Sequence, residues 1–185
     1  FELYRRLCAA GYDCEVVAPS LVPQELGVRI KTDKRDAATL ARCLRAGELT
    51  AVWVPDEATE GIRDLERARD DAKNAEKRAK QQLGKFLLRH GHTWPKSNWS
   101  KEHLAWIGGR KFEQRSQQIV LHDYLKAVHD ASDRVDQLTK DIKQVIEESA
   151  LAPLVTALQA LRGVATVSSA VIAAEIGDLR RFKTA

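Results

Sequence analysis

Apolar side chains between Leu121 and Val145 recur at alternating spacings of three and four residues, and this regularity confines the stretch to one long helix. The positions are Leu121, Tyr124, Val128, Ala131, Val135, Leu138, Ile142 and Val145. Charged residues flank this seam, as they do in a coiled coil. A helix pair packed within one chain produces the same pattern, so the sequence leaves both arrangements open.

The same spacing predicts another long helix from Thr59 to about Gly91. Its seam consists of Ile62, Leu65, Ala68, Ala72, Ala75, Ala79, Leu83 and Phe86. The alanines would allow a partner helix to approach closely. The helix also carries the basic residues Lys73, Lys77, Arg78, Lys80 and Lys85. These residues are most simply a solvated face, with a nucleic-acid track as the alternative.

Between the two long helices, residues 92–109 are predicted to form a loop around a short helix. Trp94, Trp99 and Trp106 lie in this segment. We interpret the three tryptophans mainly as a plug for a small core beneath the loop. Stacking on unpaired bases is the alternative interpretation.

The amino-terminal residues are typical of an α/β unit. Phe1 to Ala10 has the pattern of a helix end, and a further helix is predicted from Thr32 or Asp33 to Arg45, ending at Gly47. Residues 13–18 and 51–54 are predicted strands, and the strand-helix-strand order favours a parallel sheet. The chain as a whole is therefore predicted to be α-dominated α/β.

The carboxy-terminal residues are predicted to form two helices joined by a turn that contains Gly163, Val164, Ala165 and Thr166. This turn resembles a helix-hairpin-helix, in which backbone N–H groups bind a nucleic-acid phosphate. Ala165 stands where such hairpins usually have their second glycine, and an ordinary helix-helix turn is the alternative. We predict three regions: a partial α/β domain (1–57), a long-helix coiled-coil region (58–150) and the start of a helical domain (151–185).

Composition narrows the function classes only slightly. Lys and Arg number 30 against 26 Asp and Glu, so the net charge of +4 permits a polyanionic partner without requiring one. The longest apolar runs are too short for a membrane span, so we expect no membrane. Three cysteines without metal-type spacing favour reduced thiols in a cytoplasm. Because the sequence begins at Phe1, we expect it to be an internal fragment.

The strongest chemical signal is the pair Asp33 and Asp36 at the predicted start of a helix. Carboxylates three residues apart lie on one helix face and could share Mg²⁺ or Mn²⁺. Acidic residues at a helix start also suit capping and the helix dipole, and this alternative is strong. Lys31, Lys34 and Arg35 favour a phosphodiester site, because cations offset the repulsion between carboxylates and phosphates.

Several motifs resemble the Asp-Glu-Asp-Asp transposases, the RuvC-like insertion-sequence recombinases related to the pilin-gene invertase Piv. They are Lys-Thr-Asp-Lys-Arg-Asp-Ala (31–37), Leu-Ala-Arg-Cys-Leu-Arg-Ala-Gly (40–47), Val-Trp-Val-Pro (52–55), Ile-Arg-Asp-Leu (62–65), Lys-Phe-Leu-Leu-Arg-His-Gly (85–91), Leu-Arg-Gly-Val (161–164), Glu-Ile-Gly-Asp (175–178) and Arg-Phe (181–182). The resemblance covers nearly the whole chain, and the aspartate motif is quite specific.

The resemblance implies that residues 1–57 are the end of a ribonuclease-H-like catalytic domain. Asp33 and Asp36 would be the last two members of an acidic tetrad that holds Mg²⁺ or Mn²⁺. The other two acids would precede Phe1, and a nucleophilic serine would follow Ala185. A fragment without these groups would itself be inactive.

The resemblance also implies an enzyme that cleaves and rejoins DNA strands at the nucleoid in the bacterial cytoplasm. Its partners would be DNA, a guide RNA encoded by the element, and further copies of the chain bound through the coiled coil. The alternative from another class is a non-catalytic helical module for oligomerisation or nucleic-acid binding.

Overall fold

A computed structural model describes residues 1–23 and 32–177, and in these ranges the chain is mainly helical. The chain divides into two compact units, Phe1–Asp56 and Glu57–Ala185. No helix in the described ranges is long and apolar enough to cross a membrane. The predicted α-dominated class is therefore confirmed, while the ribonuclease-H-like arrangement stays a prediction.

In its described residues, 1–23 and 32–56, the first unit contains two α-helices and a short 3-10 helix. Helix α1 spans Glu2–Ala9, the 3-10 helix spans Pro19–Leu21, and α2 spans Asp33–Ala46. Helix α2 ends where predicted, because Gly47 adopts a left-handed φ of 70° that a residue without Cβ takes at little cost. Along α2 the apolar side chains of Leu40 and Leu44 are exposed, whereas Cys43 is buried.

The predicted strands and their parallel pairing are wrong for the described residues. Residues 13–18 and 51–54 meet only at one antiparallel bridge between Val17 and Ala51. Beside it, the Val52 N–H donates to the Val16 carbonyl over 2.8 Å. Two short extended segments are marginal alone, because a sheet gains its stability from further strands or from a covered apolar face.

Up to residue 177, where its described part ends, the second unit contains the two long helices and three short ones. Helix α3 spans Glu57–Arg89, α4 spans Lys101–Gly108, α5 spans Arg115–Glu147, α6 spans Ala152–Leu158 and α7 spans Thr166–Ile176. Helices α3 and α5 pack along each other in antiparallel directions, since Leu83 shares a core cluster with Leu121 and Ile62 shares one with Ile142. The predicted boundary between the long-helix region and the helical domain, at residues 150 and 151, stays a prediction. Helices α6 and α7 pack in the same core cluster as Ile62 of α3.

The apolar seam of α5 packs within the chain. Leu121, Val128, Val135 and Ile142 are buried there, while Val145 at the end of the seam is 39% exposed. Ala72 of α3 is 1% exposed, as expected where two helices approach closely. Of the two arrangements left open by the sequence, a helix pair within one chain accounts for these buried residues. Association of copies through a coiled coil stays a prediction.

Candidate catalytic and nucleic-acid-binding sites

The amino terminus of α2 holds both predicted metal-binding aspartates. Asp33 is its first residue, Asp36 lies in the same first turn, and both side chains are exposed. The cap itself is Thr32, whose Oγ1 accepts the Arg35 N–H over 3.4 Å. Because Thr32 occupies the capping position, capping does not account for either aspartate, although both remain favourable at the positive end of the helix dipole.

The basic residues of the motif surround this turn. Lys34 and Arg35 are exposed on the first turn of α2. Lys31, the third predicted nucleic-acid-binding cation of the motif, lies outside the described residues. An exposed turn with two carboxylates and two cations is a mixed-charge surface that a phosphate backbone could approach.

The aspartate pair fits a divalent cation that takes most of its ligands from elsewhere. In the described ranges, no three His, Cys, Asp or Glu residues are grouped so that they could hold a metal. Residues three apart on a helix have Cβ atoms about 5 to 6 Å apart, close enough for two carboxylates to approach one ion. Mg²⁺ is commonly held by one or two carboxylates together with water and phosphate oxygens, so the donors at α2 suit it.

The second predicted nucleic-acid contact is the turn between α6 and α7. Gly163 has a φ of 88°, and a Cβ at this position would meet no atom within 4 Å. The Val164 N–H donates to the Leu161 carbonyl over 3.1 Å, and Ala165 is exposed in extended geometry. Helix α7 begins at Thr166 without a side-chain cap, so its first N–H groups have no partner within the helix.

This open turn is compatible with either predicted role. The first N–H groups of α7 and the exposed Ala165 lie where a phosphate contact is predicted. An ordinary helix-helix turn would have the same geometry, and the phosphate contact stays a prediction.

Comparison with known proteins supports the family resemblance. Residues 2–91 match the family model of the DEDD transposases of the IS110 type, which is described as Transposase. This match confirms the predicted resemblance to the DEDD transposases. The chain is 42% identical over 185 residues to the "Putative transposase y4qE" of Sinorhizobium fredii, covering all of this chain and 44% of that relative.

A more distant transposase is similar over almost the same length. The "Transposase for insertion sequence element IS1533" of Leptospira borgpetersenii is 31% identical over 183 residues, covering 97% of this chain and 53% of that relative. The chain thus spans about half the length of these curated transposases. No solved structure matches it.

A charged cluster that our sequence reasoning did not single out joins α3 to α7. The Arg63 guanidinium is 7% exposed and donates to the carbonyls of Ala174 and Glu175 over 2.9 and 3.0 Å. It also pairs with the Glu175 carboxylate at 3.4 Å. Glu66, one turn along α3, is 8% exposed, and its Oε1 has no hydrogen-bond partner among the residues that the structure describes. A sequence signal existed, since Glu66 lies four residues after Ile62 and therefore on the apolar face of α3.

The environment of Glu66 favours its neutral form. Burial is the largest cause that raises its pKa, and the negative charge of Glu175 adds to it. Arg63 and Arg67 act in the opposite direction, and the balance brings the pKa from 4.5 to about 7. Glu66 is therefore partly protonated near neutral pH.

We expect the free energy of unfolding to fall by up to about 3 kcal/mol as the pH rises from about 4.5 to about 7. In this window the folded chain retains the Glu66 proton that the unfolded chain has released, so rising pH disfavours the folded state. The measurement is urea unfolding at fixed ionic strength across the window, with Glu66→Gln as the control. If the parent and Glu66→Gln show the same pH slope, Glu66 does not titrate as described.

Proposed function

We propose that this chain is part of a DNA transposase in which Asp33 and Asp36 are two of the carboxylates of the metal site. The observation that carries the proposal is the first turn of α2. Both carboxylates are exposed there side by side, and neither is needed as a cap because Thr32 serves that role. The match to the DEDD transposase family model and two relatives named as transposases support the same function.

The proposed cofactor is Mg²⁺ or Mn²⁺, held by Asp33 and Asp36. Such an ion polarises a phosphodiester and activates the attacking group. The two carboxylates would hold the ion in position at this end of the helix. Lys34 and Arg35 offset the repulsion between this acidic site and the phosphate backbone of DNA. Further acidic ligands in a ribonuclease-H-like (RuvC-like) domain would complete the tetrad.

The proposed substrate is DNA, whose strands the whole protein cleaves and rejoins. The turn at Gly163 to Thr166 provides a second contact, since exposed N–H groups at a helix start bind phosphate oxygens. Direction by a guide RNA, assembly of several copies through a coiled coil and location at the bacterial nucleoid belong to the same proposal. These three features rest on the family resemblance alone.

Binding of the 185-residue chain to duplex DNA tests the nucleic-acid part of this proposal. We expect weak binding whose logarithmic salt slope is about −0.9 per phosphate contact. The double variant Lys34→Gln/Arg35→Gln removes two candidate contacts, so its slope should be shallower by about 2. Fluorescence anisotropy of a labelled duplex between about 50 and 200 mM salt measures both quantities.

The matched control is Lys140→Gln/Lys143→Gln, which removes the same charge from two exposed positions of α5. This control should keep the parent slope. Equal slopes for the parent and the α2 variant would remove Lys34 and Arg35 from the interface. A parent chain that binds no DNA at about 50 mM salt would contradict the whole nucleic-acid assignment.

A further inference from the structure

A groove of about 440 Å³ lies between the middle of α3 and the loop that precedes α4. Its lining includes Lys73, Glu76, Lys77 and Lys80 from α3 and Trp99 from the loop. The volume is in the range of small-molecule sites, which suits a ligand the size of a single nucleotide. Nothing in the assignment of Asp33, Asp36 or the Gly163 turn uses this groove.

The groove has an excess of positive charge, with three ammonium groups facing one carboxylate. Glu76 is 7% exposed and accepts hydrogen bonds from Lys80 over 2.6 Å, Lys73 over 3.2 Å and the Ser132 hydroxyl of α5 over 3.0 Å. Burial alone would raise the pKa of Glu76, but these hydrogen bonds outweigh burial and lower it. An ionised Glu76 thus holds Lys73 and Lys80 in place, and Lys77 is exposed beside them.

Trp99 supplies an aromatic wall that is fixed before any ligand binds. It packs against the core cluster that contains Leu83 and Leu121, and it remains partly exposed. Its φ is 68°, an uncommon value for a bulky residue. The backbone N–H of Trp99 donates over 2.8 Å to Nδ1 of the buried His103. Burial lowers the pKa of His103, so its imidazole stays a neutral acceptor.

We propose that this groove binds one unpaired nucleotide of a single-stranded nucleic acid, with the base against Trp99 and the phosphate at Lys73 and Lys77. Aromatic walls next to cationic tracks are the usual means of binding single strands. The Lys80 ammonium lies 5.7 Å from the Trp99 ring centroid. A stacked base needs contact at about 3.5 to 4 Å, so on binding the Lys80 side chain exchanges its hydrogen bond with Glu76 for one with the phosphate.

This inference rests on the proposed function, because it specifies which form of nucleic acid the transposase binds at a second place. A base within a duplex is already stacked on both sides and cannot lie flat on Trp99. The groove therefore selects single strands over duplex. An acidic peptide would satisfy the lysines but would leave the aromatic wall without a planar partner.

The test measures binding of the 185-residue chain to a short labelled oligothymidylate and to the oligouridylate of equal length. Trp99→Leu keeps an apolar side chain against the core and removes the planar face, so affinity for the bound strand should fall at least about fivefold. Lys77→Gln alters an exposed side chain and should weaken binding about twofold to threefold while making the single-strand salt slope shallower by about 0.7. Lys143→Gln, at an exposed position of α5, is the charge-matched control and should bind the oligonucleotides as the parent does.

Several results separate the possibilities. Whichever of the two oligonucleotides loses affinity in Trp99→Leu identifies the source of the nucleotide as DNA, RNA or both. The inference is overturned if Trp99→Leu, with parental helicity, and Lys77→Gln both bind the oligonucleotides like the parent. It is also overturned if a polyglutamate peptide displaces the strand from the parent and binds Trp99→Leu with unchanged affinity. In either case duplex binding that depends on Lys34 and Arg35 would still support the proposed function, so the two failures are distinguishable.

Discussion

We expect the replacement of Asp33 or Asp36 by asparagine to reduce Mg²⁺-dependent strand exchange to background in a transposase that contains this sequence, while the fold of the chain stays nearly unchanged. Asparagine keeps the size of the side chain but removes the charge that a divalent ion requires. Both residues are exposed in the first turn of α2, so the lost dipole interaction amounts to less than about 1 kcal/mol. Recombination assays give the activity, and urea unfolding of the 185-residue chain gives the stability.

Thr32→Ala is the matched control for these two variants. It removes the cap that accepts the Arg35 N–H and should lower the free energy of unfolding by about 1 kcal/mol. Both carboxylates remain, so recombination should persist. Near-parental recombination in both asparagine variants would contradict the metal site and favour a non-catalytic helical module.

Arg63→Met should destabilise the second unit by about 1 to 3 kcal/mol, the usual cost of leaving a buried hydrogen-bond acceptor without its donor. The substitution leaves the carbonyls of Ala174 and Glu175 without their donor. It also removes the buried cation that faces Glu66, whose Oε1 already has no hydrogen-bond partner in the described part of the chain. Urea unfolding monitored by helix content measures the loss.

Arg67→Met provides a close comparison, because Arg67 lies one turn along α3 and pairs with the same Glu175 carboxylate at 3.7 Å. Its side chain is 61% exposed, so its removal should cost less than about 1 kcal/mol. Adding Glu66→Gln to Arg63→Met should recover stability only at pH values high enough to ionise Glu66, since its carboxylate then lacks the cation that favoured its charged form. Equal losses in the two arginine variants would show that burial does not determine the contribution of Arg63.

The helices could be predicted from sequence because each is specified locally. Three-four spacing marks α3 and α5 along their whole lengths, and Thr32 and Gly47 mark the two ends of α2. The strand pairing could not be predicted from sequence. Alternation in residues 13–18 predicts an extended segment but says nothing about the direction or number of the neighbouring strands. Only one antiparallel bridge forms there in the described residues.

The candidate sites divide in the same way. Asp33 and Asp36 are close in sequence, so their proximity follows from helix geometry alone. Arg63 meets the Ala174 carbonyl across 111 residues of chain, and no local pattern predicts which carbonyl it will reach. The Trp99 groove likewise depends on how a loop packs against α3, and sequence identified its lysines and its tryptophan only as separate features.

The unbroken helix α3 also fixes the distance between the α7 junction and the groove. It runs without a break through its 33 residues, so it is about 50 Å long at 1.5 Å per residue. Arg63 at the α7 junction and Lys77 in the groove are fourteen residues apart, which places them about 21 Å apart along the axis. Substitutions at Arg63 and at Lys77 should therefore have independent effects, the first on the packing of α7 and the second on the groove.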